Sequence, residues 1–417
     1  MPWSPRLSPS DEKVLSALGP GRRAYLSAGS VEPVAFSQLL AAQPDRAAGL
    51  NLIGSFVPGV NRFDYAGLHP DARMTTLLLP EDLRASFELG RVDVLPVSYT
   101  GFAAYLERRP PEVAVVQLTP ADASGISSFG PAADFAPIAW RNARFRIAYV
   151  NPSLPRPPGG LTVPLAMADI VVECDHPPLA VPPGATSPVL QQIAEQVANL
   201  VEDGACVQAG LGGAPAAALA ALTSRRNLTV HSGMVSDEYM TLHQAGALAP
   251  DGHVAGVAIG SAAFYTWLGS AEGLAFASTP QTHGARALAQ LDRFTAINSA
   301  LEVDLFGQAN LEWRNGRLAS GMGGAPDFIA GAQLSAGGRS IVALPATAKG
   351  RSRIVARLGA PTVSIPRNLI DTVVTEHGVA EIRDLPLEAR AQKLIAVAAP
   401  EHQSTLQREW EDIRNRI

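Results

Sequence analysis

Apolar runs with strand character alternate with Ala- and Leu-rich amphipathic runs along the chain. In the first half the strand-like runs occupy residues 51–57, 74–79, 92–97, 112–118, 145–151 and 169–174, and the helical runs include 33–43 and 102–108. The strand-like runs are apolar at nearly every position, which is typical of parallel strands covered on both faces. The alternation therefore predicts an α/β architecture with mostly parallel sheets.

A proline-rich stretch, HPPLAVPPGATSP at residues 176–188, interrupts this pattern and is typical of a linker. After it the alternation restarts with the helical run VLQQIAEQVANLVEDG and the strand-like runs ACVQAG and NLTV, and it continues to the C-terminal helices. A chain of 417 residues also exceeds one ordinary hydrophobic core. We therefore predict two α/β domains, residues 1–186 and 187–417.

Composition and charge narrow the class of protein. Charged residues make up 17% of the chain, hydrophobic ones 47%, and the net charge is −5, which predicts a folded globular protein without a nucleic-acid partner. Cys174 and Cys206 suffice for neither a disulfide framework nor a zinc site, so we expect no metal. The start MPWSPRLSPSDEKV lacks a signal pattern and no apolar run is long enough to span a bilayer, so we expect a cytoplasmic protein without a membrane span.

Two glycine-rich segments are candidates for ligand binding. In ACVQAGLGGAPAAALAAL, residues 205–222, a strand-like run meets a helical run through a loop. The backbone N–H groups of Gly212, Gly213 and Ala214 could hold an oxyanion or a phosphate there, although a plain strand-to-helix connection explains the same residues. The second segment, SGMGGAPDFIAGAQLS at residues 320–335, also precedes a helical run, so the two loops could line one cleft. Its candidate residues are Gly321, Met322, Gly323 and Gly324.

Charged side chains add candidates for phosphate binding. LPATAKGRSRIV, residues 344–355, clusters Lys349, Arg351 and Arg353. These cations could neutralise the phosphates of a nucleotide-like ligand, or they could form an ordinary solvated loop.

The candidate acids and bases are Glu238, Glu302 and Glu376, with Asn298 in the same stretch as Glu302. A strand-end salt bridge or a surface cap would explain each carboxylate as well as catalysis does. The segment HSGMVSDEY, residues 231–239, follows the strand-like NLTV and predicts a turn at a strand end. Strand ends of this kind are where open α/β sheets place their chemistry.

Taken together these motifs resemble the acetyl-CoA hydrolase/transferase family of CoA-transferases, close to 4-hydroxybutyrate and succinate:acetate CoA-transferases. The matching segments are VVQLTPADASGISSFG (115–130), AYVNPSLPR (148–156), GLGGAPAAAL (210–219), HSGMVSDEY (231–239), INSALEVDLFGQ (297–308), SGMGGAPDFIAGAQLS (320–335), LPATAKGRSRIV (344–355) and VVTEHGVAEIRDLPLEARAQKLI (373–395). The resemblance covers about residues 110–405. It implies two similar α/β domains with the active site between them, and a homodimer or other homo-oligomer. It also implies acyl-CoA as substrate and a carboxylic acid or other acceptor as partner.

The resemblance also implies a mechanism. In the family a glutamate attacks the thioester, and an enzyme-bound anhydride is followed by a glutamyl-CoA thioester. The GLGG loop would form the oxyanion hole, while the SGMGG loop with Lys349 and Arg351 would contact CoA. The family's turn usually reads HTEM or HSEM with that glutamate, whereas this chain has Gly233 in its place. Gly233→Glu should restore a nucleophile if its Cβ is tolerated.

Three interpretations remain open at this point. The first is a CoA-transferase acting on a small or medium acyl-CoA thioester. The second is a repurposed thioesterase or acyltransferase that uses Glu302, Glu376 or Glu238 as a base. The third is a non-catalytic protein that binds CoA or acyl-CoA.

Overall fold

The computed structural model describes residues 7–416. Residue 417 and the first six residues of MPWSPRLSPSDEKV, the segment in which we find no signal pattern, lie outside the described residues. Contacts divide the chain into two compact units. One unit combines the residues up to Pro182 with Val254–Thr282, and the second combines Pro183–His253 with the residues from His283 onward. Each unit contains its own sheet of parallel strands.

The helices and strands follow one another in regular alternation. Up to residue 173 they are α1 (Pro9–Ala17), β1 (Arg23–Leu26), α2 (Val34–Ala42), β2 (Asn51–Gly54), β3 (Arg73–Thr76), α3 (Arg84–Glu88), β4 (Val92–Val94), α4 (Tyr99–Arg108), β5 (Val113–Leu118), β6 (Ile126–Ser128), α5 (Ala136–Asn142), β7 (Phe145–Val150), β8 (Thr162–Pro164) and β9 (Ile170–Glu173). Up to residue 288 they are α6 (Pro188–Leu200), β10 (Cys206–Ala209), α7 (Gly213–Ala220), β11 (Thr229–Val235), α8 (Asp237–Gln244), β12 (His253–Ala258), α9 (Ala262–Leu268), β13 (Leu274–Phe276), α10 (Thr279–Thr282) and α11 (Ala285–Leu288).

The remaining elements complete the second unit. They are β14 (Phe294–Asn298), β15 (Glu302–Asp304), β16 (Ala309–Asn310), β17 (Trp313–Arg314), β18 (Arg317–Leu318), α12 (Ala325–Leu334), β19 (Arg339–Ala343), β20 (Thr347–Ala348), β21 (Arg351–Ser352), β22 (Ile354–Val355), β23 (Thr372–Thr375), β24 (Gly378–Glu381), α13 (Leu387–Ala396) and α14 (Pro400–Arg414). Short 3-10 helices occupy Gly29–Val31, Pro44–Ala47, Tyr65–Gly67, Glu81–Leu83, Leu165–Met167 and Ala221–Ser224.

The first unit is built on a seven-stranded sheet in the order β4-β3-β2-β1-β5-β7-β9. All its neighbouring strands are parallel. Strand β5 is buried at all six positions, as its nearly continuous apolar sequence predicts. The core beside it is built around large side chains such as Phe102, Phe135 and Trp140. The strand order reverses between β1 and β5, which makes that pair the switch point of this sheet.

The second unit repeats this plan. Its strands β11-β10-β14-β19-β23-β24 are neighbours in that order, and only the last pair, β23 with β24, is antiparallel. Helix α6 begins where the Ser187 hydroxyl accepts the N–H of Leu190 and where Pro188 occupies the first turn. It buries Ile193 and Val197, which lie on one helical face. The strand order reverses between β10 and β14.

These elements confirm the predicted α/β class with mostly parallel sheets. Residues 174–187, which contain most of the predicted linker, form no helix or strand. The domain boundary after residue 186 stays a prediction. Across residues 7–416 no helix has the length and apolarity needed to cross a membrane.

The predicted turn directly after NLTV is wrong. Strand β11 continues through His231, Ser232 and Gly233 to Val235. The chain turns only at Ser236, immediately before helix α8. The paired register with β10 ends at Val230. Beyond it the buried, β-branched Val235 outweighs the weak strand preference of a single glycine.

Candidate functional site

The carboxyl ends of β10 and β14 lie at the switch point of the second sheet. Gly210, the first residue after β10, donates its N–H to the carbonyl of Ile297 at 2.8 Å. Open α/β sheets bind ligands outside the carboxyl ends of their strands at such points. Val207 of β10 pairs with Val230 of the parallel neighbour β11. Gly210 and Gly233 each lie three residues further along, so both glycines lie at the carboxyl-terminal edge of the second sheet.

The GLGG loop turns directly into helix α7. Gly212 precedes the helix with φ at +130°, a conformation that residues with a side chain rarely adopt. Helix α7 begins at Gly213. The N–H groups of the first helical turn have no intrahelical acceptor, and the helix dipole makes this end positive. The loop can therefore present the amides of Gly213 and Ala214 to a developing negative charge.

Asn298 holds the strand ends together. Its side-chain Nδ2 donates to Gln208 Oε1 at 2.9 Å, and Gln208 Nε2 donates back to Asn298 Oδ1 at 3.4 Å. A Cβ at position 210 would lie 2.5 Å from Asn298 Oδ1, so glycine is required at that place. Because both amides are buried and paired with each other, Asn298 positions the GLGG loop through this network.

Gly233 faces an imidazole ring. A Cβ at position 233 would lie 2.7 Å from Nε2 and 2.8 Å from Cε1 of His283. A Cβ at position 324, in the SGMGG loop, would lie 2.5 Å from the same Nε2. The ring of Phe328 in α12 packs on the imidazole with centroids 4.3 Å apart. One imidazole therefore fills the space between the β11 strand and the SGMGG loop.

This geometry bears on the condition that the Cβ at position 233 be tolerated if Gly233→Glu is to restore a nucleophile, and that restoration stays a prediction. Gly233 lies within strand β11 and outside the left-handed region, so its backbone would accept a side chain. The obstacle is the close approach of the His283 ring, since real Cβ atoms do not sit within 3.0 Å of a non-bonded heavy atom. A side chain at position 233 requires the imidazole to move.

His283 is an uncharged group in this setting. The residue is 2% exposed, and burial lowers the pKa of its imidazole to about 3, with the charge of His231 adding to the effect. The ring is therefore neutral near pH 7. Sequence reasoning missed His283, which lies in the polar stretch STPQTHG without any periodic pattern.

Glu376 and Arg353 each form hydrogen bonds with backbone groups of the second unit. Glu376 Oε2 accepts the backbone N–H of Ala346 at 2.8 Å, and its side chain is 11% exposed. Arg353 Nε donates to the carbonyl of Leu301 at 2.9 Å, and its Nη2 donates to that of Ala300. The Arg353 side chain thus binds backbone carbonyls of the protein, whereas Lys349 and Arg351 are exposed to solvent.

Burial lowers the pKa of the Arg353 guanidinium, and the charge of Arg314 lowers it further. The carboxylates of Glu302 and Glu376 oppose both effects, because each stabilises the charged form. The two candidate acids therefore act on a common cation.

The other candidate carboxylates are hydrogen-bonded as well. Glu302 Oε2 accepts from Asn310 Nδ2 at 3.4 Å, and Glu238 accepts from the hydroxyl of Ser236. Both residues are only partly buried, so each retains access to solvent. Within residues 7–416, no group of three or more His, Cys, Asp or Glu side chains could hold a metal ion.

Lys349 and Arg351 lie on an exposed β-hairpin. Residues Lys349 and Gly350 have φ angles of +51° and +74° and link the paired strands β20 and β21, as in a type I′ turn. A second hairpin, β17–β18, turns through Asn315 and Gly316 in the same way. Arg351 Nη1 donates to Asn315 Oδ1 at 3.4 Å and joins the two hairpins.

The joined hairpins, which we call the basic hairpin pair, carry several cations. These are Arg314, Arg317, Lys349 and Arg351. Sequence reasoning missed Arg314 and Arg317, although the Asn-Gly dipeptide between them is a strong hairpin signal. Their charges make this surface a candidate for binding phosphate groups.

Comparisons with known proteins identify the family. The sequence model of the acetyl-CoA hydrolase/transferase C-terminal domain matches residues 260–410. The 4-hydroxybutyrate coenzyme A transferase of Clostridium kluyveri is 33% identical over 411 residues, 96% of each chain. The crystal structure of RipA from Yersinia pestis superposes with a TM-score of 0.90 at 26% identity, covering 98% of both chains. The 4-hydroxybutyrate CoA-transferase of Porphyromonas gingivalis superposes with a TM-score of 0.79 at 29% identity, covering 99% of this chain and 98% of that one.

Proposed function

Because the chain belongs to the acetyl-CoA hydrolase/transferase family and is an enzyme of the CoA-transferase type, we propose that it transfers CoA between carboxylic acids. The donor is a small or medium acyl-CoA thioester, and the acceptor is the carboxylate of a second acid. One observation supports the proposal: β10 and β11 end at the same edge of the second sheet, where the GLGG loop leads into α7 and where Gly233 and Gly324 of the SGMGG loop both approach His283.

The GLGG loop supplies the oxyanion hole in this proposal. When a nucleophile adds to a thioester, the carbonyl oxygen becomes negative. The amides of Gly213 and Ala214 at the start of α7 stabilise that charge, because their N–H groups are fixed by the helix before the reaction begins. Gly212 belongs to the same set, and its φ of +130° allows the abrupt turn.

The basic hairpin pair binds the phosphates of CoA. Its support is the exposure of Lys349 and Arg351 and the hydrogen bond that fixes Arg351 to the second hairpin. The loop residues Gly321, Met322, Gly323 and Gly324 contact the same ligand. Gly323 has φ at +61°, so the loop follows a path that a side chain at that position would strain.

Glu302, Glu376 and Glu238 are the acids and bases available to the reaction. Glu302 and Glu376 both stabilise the charge of Arg353, and this shared cation supports a role for the pair at the strand ends. Glu238 lies at the start of helix α8, where the Ser236 hydroxyl holds it.

The test is a screen of the purified chain with acetyl-CoA or butyryl-CoA and a panel of acids that includes acetate, succinate and 4-hydroxybutyrate. Mass spectrometry of the CoA esters should show a new thioester for at least one acid. A reaction without acid is the control. Equal release of free CoA with and without acid would indicate a thioesterase and contradict the proposal, and binding without turnover would indicate a non-catalytic protein.

We further propose a cytoplasmic homodimer. The compartment is supported by composition, since two free cysteines, Cys174 and Cys206, and a net charge of −5 are compatible with a reducing, soluble compartment. Light scattering coupled to gel filtration measures the mass against the 43.7 kDa of one chain. A monomeric mass at micromolar concentration would contradict the homodimer.

A further inference from the structure

The two glycines that flank His283 are explained by the space its imidazole needs. Gly324 has φ at −87° and Gly233 is extended in β11, and neither conformation requires glycine. What glycine contributes is the missing Cβ, since a Cβ would lie 2.5 Å or 2.7 Å from Nε2. The strand and the loop are thus both shaped around one ring, and a side chain at position 233 and the imidazole exclude each other.

His283 cannot itself carry an acyl group at Nε2. That atom lies between two backbone segments, and the residue is only 2% exposed. Phe328 covers the ring with centroids 4.3 Å apart. The other carboxylates described above are each held by a hydrogen bond within the protein, Glu376 from Ala346, Glu302 from Asn310 and Glu238 from Ser236, so we assign them the acid and base roles and not that of the nucleophile. The acceptor acid, in contrast, brings its own carboxylate.

We propose that His283 is a positioning residue that takes the place of a side chain at position 233, so that CoA passes directly from the acyl-CoA to the acceptor acid. This inference rests on the proposed function. It differs from the route through an enzyme-bound glutamate because both substrates are bound at once. The imidazole fixes the SGMGG loop against β11 through its contacts with Gly233 and Gly324.

The direct route balances without any further reactant. The acceptor carboxylate attacks the thioester carbon, a C–O bond forms, and the C–S bond breaks. The products are a mixed anhydride and the CoA thiolate. The thiolate then attacks the carbonyl carbon that came from the acceptor, a C–S bond forms, and the donor leaves as its carboxylate. No net proton is gained or lost.

The neutral imidazole suits this route. The acceptor carboxylate and the leaving thiolate are both anions, and a fixed carboxylate at position 233 would repel them at short range. Burial lowers the pKa of His283 to about 3, so the ring adds no charge at this place. His231, on strand β11, is the titratable group that contributes to this shift.

A single turnover with ¹⁸O-labelled acceptor acid and enzyme in excess over acyl-CoA tests the inference on the wild-type protein. In the direct route the bridging oxygen comes from the acceptor, so the released donor acid carries one ¹⁸O atom. In the route through an enzyme carboxylate, the donor acid of the first turnover carries an unlabelled enzyme oxygen. Labelled donor acid supports the inference, and unlabelled donor acid with transfer intact overturns it while the proposed function stands. Absence of transfer with every acid overturns both.

Two variants test the part played by His283. The double variant Gly233→Glu with His283→Ala exchanges the imidazole for a carboxylate. We expect this variant to form a borohydride-sensitive glutamyl-CoA thioester at position 233. Its double-reciprocal plots of initial velocity should give parallel lines, whereas those of wild type should intersect. The conservative variant His283→Gln, which is neutral and of similar length, should keep intersecting lines and the acceptor KM. His283→Ala should raise that KM more than it lowers kcat. An adduct formed equally well by Gly233→Glu alone would contradict the exclusion between the two side chains.

Discussion

Gly233→Ala tests the packing around His283 with the smallest possible change. The added methyl group would lie 2.7 Å from His283 Nε2 and 3.3 Å from a ring carbon of Phe328. The imidazole cannot retreat easily, because Gly324 also lies close to Nε2 and the tilted ring of Phe328 packs on it. We therefore expect the variant to be less stable than wild type.

The magnitude follows from two opposing effects. Overpacking a well-filled interior costs about 1–3 kcal/mol. Replacing glycine by alanine at a compatible backbone restricts the unfolded chain and returns about 0.4–1 kcal/mol. The overpacking is larger, so the free energy of unfolding should fall by about 0.5–2 kcal/mol.

The assay is a double-mutant cycle with His283→Ala, measured by equilibrium unfolding in urea. Once the imidazole is removed, the methyl group at position 233 keeps only the 3.3 Å approach to Phe328, so the two changes should couple by about 1–3 kcal/mol. Gly184→Ala is the control, because its Cβ would enter open space. Additive effects of the two substitutions, within about 0.5 kcal/mol, would refute the contact on which the reasoning depends.

Further predictions concern charge, the helix start and CoA binding. The unfolded state takes up a proton on His283 below about pH 6.5 and the folded state only near pH 3. The stabilising contribution of the neutral ring is thus complete above pH 6.5 and is lost on acidification by up to about 1.4 kcal/mol per pH unit. In urea unfolding, the free energy of unfolding should therefore fall more steeply with falling pH for wild type than for His283→Gln. Gly213→Pro removes one first-turn N–H at a position where helices accept proline, and kcat should fall about 10²–10³-fold, whereas Gly213→Ala should not show this loss. Lys349→Ala with Arg351→Ala should weaken CoA binding about tenfold or more in calorimetry, and an unchanged Kd, equal to that of the Lys393→Ala control, would exclude these residues from the site.

The hydrophobic pattern predicts the sheet strands well because each is short, apolar and bounded by turn residues. Strand β5 shows this, since its residues VAVVQL are buried throughout. The pattern misjudges β11 because a glycine within a strand resembles a turn in the sequence, whereas the strand continues past it to the buried Val235. The setting of the whole strand outweighs the local preference of one residue here.

The candidate site is only partly readable from the sequence. The glycine-rich loops and the absent carboxylate at Gly233 are visible as motifs. His283 is not, because the residue that fills the space beside Gly233 is 50 positions away and belongs to no periodic run. Arg353 shows the same limit. It reads as one of three loop cations, yet it points inward to the carbonyls of Leu301 and Ala300.

The transfer of CoA from one acid to another is tested most directly with unlabelled butyryl-CoA and ¹³C-labelled acetate. Both are supplied to the purified protein, and all products are followed by mass spectrometry. We expect ¹³C-labelled acetyl-CoA and free butyrate in equal amounts, with no accumulation of free CoA. Butyrate and free CoA in equal amounts, formed at a rate that does not depend on acetate or on any other acid, would contradict it.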